Sequence, residues 1–293
     1  MKRFLVLVNP LSHGGRSGRI LPRLRTLLPE GDFVVLENID EASRLAREAS
    51  DYEAVVACGG DGTVNAVAGG VLENPDASLK FGVIYAGTSP DFCCEHGIPT
   101  DAEQAIAVLR GGAVREIPVL TSNGEPFFCS MNLGMGAAVA ASANRLRPKF
   151  GDFLGTFWAD LREVVRGRRY DLKVNGEEIY NVAHALVTRM SRIAGGLKVA
   201  LPPLADDEYA LWFVKDVSRF GCLRIVWNLY RGKACGEIRV LRGKTVISSA
   251  SPLAVEYDGD PHGELPVSVA FAPRRLRLVV PQNEGECRCK NRS

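Results

Sequence analysis

The sequence lacks several features that would assign a protein to a simple class. None of its apolar runs approaches the roughly 18–20 residues of a membrane-spanning helix. The apolar residues from Phe4 to Val8 are too few for a signal peptide, whose core needs about 7–15, and they predict a first strand instead. Basic and acidic residues number 36 and 34. That balance gives no reason to expect nucleic acid as a partner.

The eight cysteines lack the spacing of a metal site. In a chain without an export signal they are expected to be reduced thiols. We therefore predict a cytoplasmic protein in which any membrane contact is peripheral. The 46% hydrophobic composition is enough for a substantial core over 293 residues, in one large or two ordinary domains.

Apolar runs alternate with helical patterns from residue 1 to about 120. Strands are predicted near 3–9, 33–37, 54–58, 81–86 and 116–120, and helices near 16–28, 41–49, 63–72 and 101–111. This alternation is typical of a parallel sheet covered by helices on both faces. Ligands of such sheets bind beyond the carboxyl ends of the strands.

The pattern changes near residue 121, where strands follow one another with few helices between them. Asn175-Gly176 predicts a hairpin over 171–179, because this pair accepts the positive φ angles of a type I′ turn. Further strands are predicted at 182–188, 209–215, 236–241, 245–248, 252–258, 266–271 and 275–280. They favour an antiparallel sandwich or barrel. Amphipathic helices are predicted over 150–166 and 217–231, with a core-facing role or membrane contact left open.

One stretch joins a buried strand, a glycine turn and a helix start around a single acid. The run 54–58 is followed at once by Gly59-Gly60-Asp61-Gly62-Thr63, and helical spacing begins at Val64. Glycines let a ligand approach the backbone, and the N–H groups of a new helix attract an anion such as phosphate. Asp61 would repel that anion unless a cation lies between them, and Mg²⁺ is the simplest such cation. No Gly-Lys-Ser/Thr is present, so the loop is not a P-loop.

This motif, with Val64-Asn65 after it, resembles the signature of the diacylglycerol kinase catalytic domain superfamily. That superfamily includes bacterial lipid kinases, sphingosine and ceramide kinases and, more distantly, NAD kinases and phosphofructokinases. Two other strand ends are similar to it: residues 9–18 resemble its NPxSG loop, and residues 82–92 its GTxND-F segment. The resemblance implies nucleotide-binding roles for Asn9, Ser12, Arg16, Gly59, Gly60, Asp61, Gly62, Thr63, Asn65, Gly87 and Thr88.

Two positions of the nucleotide-side motifs depart from the family pattern. Pro90 stands where the family has asparagine, and Ala66 where it usually has glutamate. They keep open a nucleotide-binding homologue with weak or no turnover. An NAD kinase-like enzyme is a further alternative, because it would share the glycine motif and a β-rich second domain.

Two acidic segments of the second half also resemble the family. Asp206-Asp207 resembles a turn of the family where a structural metal can bind, with Glu208 where glycine is usual, although consecutive acids are also typical of an exposed turn. Asp258-Gly259-Asp260 resembles the family's DGE at the end of a strand, with Asp260 in place of the glutamate. We expect Asp258 to act as the base that accepts a proton from the acceptor hydroxyl, assisted by Asp260, with Asp61 in or near the shell of the metal.

Together these features predict an α/β nucleotide-binding domain over 1–122, a β-rich lipid-substrate domain over 123–281 and a tail over 282–293. Whether the last strand returns to the first domain is left open. The resemblance implies an ATP- and Mg²⁺-dependent lipid kinase that binds its nucleotide in the cleft between the domains. Its acceptor would be a lipid alcohol such as diacylglycerol. The sequence leaves the oligomeric state open, with a homodimer as one possibility.

Overall fold

The computed structural model describes residues 3–134, 169–193, 196–258 and 260–282. The chain forms two compact units. One contains the residues up to Val119 together with the segment from Pro273, and the other is Leu120–Ala272. Each unit has its own hydrophobic core.

The first unit is a six-stranded, mostly parallel sheet covered by helices. Its strands are β1 Phe4–Val8, β2 Gly31–Val35, β3 Ala54–Gly59, β4 Lys80–Tyr85, β5 Ala113–Ile117 and β19 Leu276–Val280. Its helices are α1 Ser12–Leu27, α2 Ile39–Glu48, α3 Asp61–Glu73, α4 Asp91–Glu95 and α5 Ala102–Gly111. The order is β2-β1-β3-β4-β19-β5, and only the β19–β5 pair is antiparallel. The predicted alternation of strands and helices is confirmed, and the short α4 is an addition to it.

The second unit is an antiparallel sheet that curls into a half-barrel. Its strands are β6 Leu120–Ser122, β7 Glu125–Phe127, β8 Ser130–Gly134, β9 Tyr170–Val174, β10 Glu177–Thr188, β11 Arg192–Ile193, β12 Leu197–Lys198, β13 Glu208–Lys215, β14 Glu237–Arg242, β15 Thr245–Ser249, β16 Ala254–Tyr257, β17 Asp260–Glu264 and β18 Val267–Phe271. Helix α6, Arg219–Tyr230, is the one helix among its described residues. Strand β13 is buried on both faces: Tyr209 and Phe213 enter one core cluster, and Trp212 and Val214 enter another.

Local patterns of the second half are confirmed where the structure describes them. Asn175 and Gly176 have φ angles of 50° and 91°, and they join β9 to β10. The helix predicted over 217–231 is α6. The helix predicted over 150–166 lies outside the described residues. The strand predicted over 252–258 ends sooner, because Asp258 turns the backbone away with a φ of 55°.

The expectation that all cysteines are reduced is wrong, because a described cysteine takes part in a disulfide bond. Cys58, Cys93, Cys129, Cys222 and Cys235 are free thiols. Cys94, however, is disulfide-bonded. Within the described ranges, no helix is long and apolar enough to cross a membrane.

Asn74 holds the end of α2 against the end of α3. Its buried side-chain amide donates to the carbonyl oxygens of Ala46, Arg47 and Ala49 at 3.0, 2.9 and 2.9 Å. We expect Asn74→Ala to lower the free energy of unfolding by about 2–3 kcal/mol, because it leaves buried carbonyls without donors. Urea denaturation measures this. The exposed neighbour Glu73 is the control, for which Glu73→Ala should change stability by about 0.5 kcal/mol or less. Equal effects of the two variants would contradict the assignment.

Candidate functional site

Strand β3 passes into α3 as the sequence predicts, although the helix begins at Asp61, before its predicted start near residue 63. Gly60 is the residue before the helix, and Asp61 lies in its first turn. At two of the glycines a side chain would not fit. A Cβ on Gly59 would clash with Thr63 Oγ1, and a Cβ on Gly87 would lie 2.6 Å from the Cα of Gly60. Gly62 is different, because a Cβ there would meet nothing within 4 Å. The open side of the α3 N-terminus is therefore accessible to an anion.

The loop after β1 is bonded to this glycine turn. The Asn9 side chain donates to Thr63 Oγ1 at 3.1 Å, and its Oδ1 accepts from the Leu11 N–H at 3.1 Å. The Gly60 N–H donates to Ser12 Oγ at 3.3 Å. Asn9 and Ser12 thus lie at the predicted site, and their observed contacts position the turn.

Asp61 has a partner that the sequence analysis missed. The Tyr85 hydroxyl, at the end of β4, donates to Asp61 Oδ2 at 2.8 Å. Burial and the adjacent carboxylate raise the pKa of Tyr85, so its phenol keeps its proton. The Tyr85 phenol also lies beside Gly87, since a Cβ on that glycine would meet the Tyr85 hydroxyl. No local signal pairs residues 61 and 85; their contact arises from the parallel register of β3 and β4.

The oxygen atoms on α3 suit a hard cation. Asn65 follows Asp61 by four residues, which places both on one face of the helix. Asn65 Oδ1 is buried, and among the described residues it has no hydrogen-bond partner. Mg²⁺ is bound by oxygen ligands, typically one or two protein carboxylates with the substrate's phosphates. This donor set fits that ion.

The remaining residues that the resemblance implies for nucleotide binding are exposed. Thr88 is exposed directly after Gly87, and Arg16 is exposed on α1. Pro90 precedes α4, where its carbonyl accepts the Cys94 N–H at 2.8 Å, so the missing proline N–H leaves this turn intact. Ala66 is half-buried on α3. The backbone thus accommodates both departures from the family pattern.

In the second unit, Asp258 binds a run of backbone donors. Its Oδ2 accepts from Phe128 N at 2.6 Å, and its Oδ1 accepts from Cys129 N and Ser130 N at 2.7 and 3.2 Å. Burial raises the pKa of Asp258 to about 6; it outweighs the three N–H groups, which lower the pKa, and the charge of Asp260 adds to the rise. The carboxylate therefore fixes the start of β8 and is close to titration at neutral pH.

The neighbouring acids differ from Asp258 in their surroundings. Glu256 is buried, 3% exposed, and accepts from Asn132 Nδ2 at 2.6 Å across the β16–β8 pair. Asp260 is exposed at the start of β17. The strand predicted over 252–258 would place Glu256 and Asp258 on the same face, which is wrong, because Asp258 lies beyond the end of β16. The buried pair of Glu256 and Asn132 had no signal in the sequence beyond strand alternation.

Asp206 and Asp207 lie in the exposed turn before β13. The next acid, Glu208, points its carboxylate elsewhere: it accepts from the Ala205 N–H at 2.8 Å and pairs with Arg242. Among the described residues there is no group of three or more His, Cys, Asp or Glu that could hold a metal ion. A metal at Asp206 and Asp207 stays a prediction.

Family models match both units. The model of the diacylglycerol kinase catalytic domain matches residues 3–122. The model of the YegS C-terminal NAD kinase beta sandwich-like domain matches residues 129–280. The chain belongs to the diacylglycerol kinase-like lipid kinase family. Membership in this family indicates a kinase-like enzyme, for which ATP is the implied substrate.

Relatives of this lipid kinase family cover nearly the whole chain. A putative lipid kinase from Streptococcus pneumoniae serotype 4 is 28% identical over 297 residues, covering 97% of this chain and all of the relative. A diacylglycerol kinase from Bacillus subtilis is 23% identical over 305 residues, covering 98% and 99%. The crystal structure of a putative diacylglycerol kinase from Bacillus anthracis aligns with a TM-score of 0.76 at 19% identity, covering 95% and 97%. The last likeness shows the fold.

Proposed function

We propose that the protein is an ATP-dependent lipid kinase that transfers the γ-phosphoryl group of ATP to the hydroxyl of a lipid such as diacylglycerol. The observation that carries the proposal is the open glycine turn at the start of α3, with Asp61 in its first turn, in a chain of this family. A phosphate fits this place because the helix N-terminus offers N–H groups and a positive dipole.

The residues of the first unit bind and orient the phosphates. Gly62 allows close approach to the backbone, and Asn9 and Ser12 hold the turn in place. Asp61 and Asn65 are the proposed ligands of Mg²⁺, which would neutralise charge on the phosphates. The Tyr85 hydroxyl holds the Asp61 carboxylate by one oxygen.

Asp258 is the proposed general base. A carboxylate has about four acceptor positions, and backbone N–H groups occupy three of those on Asp258. One position remains for the proton of the acceptor. As the lipid oxygen forms its bond to the γ-phosphorus, the bond from that phosphorus to the bridging oxygen of ADP breaks, and the hydroxyl proton passes to Asp258. A pKa of about 6 suits this role at neutral pH.

The test is transfer of label from γ-labelled ATP with Mg²⁺ to separate acceptors: diacylglycerol, sphingosine, total bacterial lipid extract and NAD. Phase partition then separates the products. Label in the organic phase is the expected result, and the acceptor that carries it defines the lipid class. Label in the aqueous phase with NAD would establish the NAD kinase-like alternative. No transfer, with ATP still raising the melting temperature, would establish a binding protein without turnover.

Gly62 gives a direct test of the phosphate site. We expect Gly62→Ala to weaken ATP binding about tenfold, because a methyl group would enter the space open to the phosphates. Folding should not suffer, since alanine is favoured over glycine inside helices by about 1 kcal/mol. Gly111→Ala is the matched control: Gly111 is also helical, with nothing within 4 Å of its Cβ position. Calorimetric titration with ATP measures both, and equal affinities would exclude this helix end as the phosphate site.

A further inference from the structure

Helix α6 presents a row of large apolar side chains outward. Phe220, Leu223, Trp227 and Tyr230 are 83%, 46%, 63% and 59% exposed. With 3.6 residues per turn, these four positions fall within about 80° of the helix circumference. We call these four residues the α6 stripe. Exposed apolar patches of this kind mark interaction surfaces.

The opposite face of α6 already packs within the second unit. Cys222 and Leu229 are buried in a cluster with Trp212, and Ile225 packs against it. The side chain of Ser218 caps the helix by accepting the Gly221 N–H at 3.1 Å. One face of α6 therefore packs against the sheet, and the α6 stripe on the other face takes no part in that packing.

The charge around the α6 stripe has one sign. Between Val217 and Gly236 the sequence contains four basic residues and no acid. Arg224, Arg231 and Lys233 are exposed, and the two arginines lie within about 40° of Phe220 around the helix. Lys198 adds a further cation, since its side chain lies against Gly232.

The acids nearest in sequence offset only part of this charge. Asp216 accepts a hydrogen bond from Asn181 at 2.6 Å, and Glu237 pairs with Lys215 at 3.3 Å. The face around the α6 stripe is therefore apolar at its centre and positive at its edge.

We propose that the α6 stripe docks the protein onto the surface of an anionic phospholipid bilayer. Apolar side chains with basic neighbours enter the boundary between headgroups and acyl chains, and anionic lipids attract the cations. Trp227 and Tyr230 suit this depth, because their rings have an apolar body and a polar group. The inference deepens the proposed function, since a lipid acceptor resides in a bilayer.

Vesicle sedimentation without ATP tests the surface independently of turnover. Wild-type protein is expected to bind vesicles of phosphatidylcholine with 30% phosphatidylglycerol, and to bind pure phosphatidylcholine vesicles at least about tenfold more weakly. Phe220→Ser/Trp227→Ser should lower binding to the anionic vesicles about tenfold or more. Tyr230→Ser should lower it measurably, whereas its control Tyr180→Ser should not, although Tyr180 is also 59% exposed. Transfer to a short-chain, water-soluble acceptor should be unchanged in all variants.

Three kinds of result would overturn the inference. The first is a failed binding test, in which either the wild-type protein stays in the supernatant with anionic vesicles or the double variant binds them as the wild type does. The second is a melting temperature that falls by many degrees in the double variant but not in Tyr180→Ser, which would mean that the α6 stripe packs within the protein. The third is a wild-type protein that sediments as a dimer and a double variant that sediments as a monomer, which would make the surface an interface between copies. If the wild type transferred no phosphate to the short-chain acceptor, this would instead contradict the proposed kinase function.

Discussion

Replacing Asp61 with asparagine is expected to reduce phosphoryl transfer about 100-fold or more. Asparagine has the same shape and its side-chain oxygen still accepts the Tyr85 hydroxyl, which now lies 2.8 Å from Asp61 Oδ2. The substitution removes the charge that would hold a cation beside the phosphates. The cost in stability should be small, about 0.3–1 kcal/mol, since only one acid in the first turn of a helix is neutralised. Initial rates with γ-labelled ATP and diacylglycerol, together with thermal melts, measure both quantities.

The control for Asp61→Asn is Asp40→Asn. Asp40 also lies in the first turn of a helix, α2, and it is exposed. It should therefore share the loss of helix-dipole stabilisation and keep wild-type turnover. A second comparison is Tyr85→Phe, which removes the hydroxyl and keeps the Asp61 charge; it should reduce turnover less than Asp61→Asn does. If Asp61→Asn transferred phosphate at the wild-type rate, the metal role of this carboxylate would be wrong.

The structure separates what local sequence determines from what distant contacts determine. The strand, glycine turn and helix around Asp61 were predictable because their signals lie within a few residues of one another. The Asn175-Gly176 hairpin was predictable for the same reason, since the φ angles of two adjacent residues define it. The place of β19, between β4 and β5, depends on pairing with strands more than 150 residues away in sequence. Periodicity contains no information about such pairing.

The candidate site shows the same division. Its glycines and acids were found from motif and spacing, but their partners were not. Tyr85 reaches Asp61 only because β3 and β4 are parallel neighbours. Asp258 meets the N–H groups at the start of β8 because β16 pairs with β8. Sequence reasoning can therefore name the acids of such a site, whereas the pKa and hydrogen bonds that define their roles depend on the fold.

Asp258 should give wild-type turnover an acidic limb with an apparent pKa of about 6. The carboxylate must be ionised to accept the hydroxyl proton, so kcat/KM should fall as the pH drops through this value and level off above it. Asp258→Asn should reduce turnover by about 100-fold to 10,000-fold, the usual range for loss of a general base. It should also lower the free energy of unfolding by about 1–3 kcal/mol, because an amide NH₂ would face the N–H groups of 128–130 in place of an acceptor oxygen.

The pH profile separates catalysis by Asp258 from its structural role. If Asp258 only fixes the start of β8, the residual activity of Asp258→Asn should keep the acidic limb near 6, and stabilising additives that restore the melting temperature should restore turnover. If Asp258 is the base, the limb disappears and turnover stays low after the fold is stabilised. Glu264→Gln is the control, since Glu264 is an exposed acid at the far end of β17 and should leave rate and profile unchanged. A retained limb near 6 in Asp258→Asn would move the base assignment to another group.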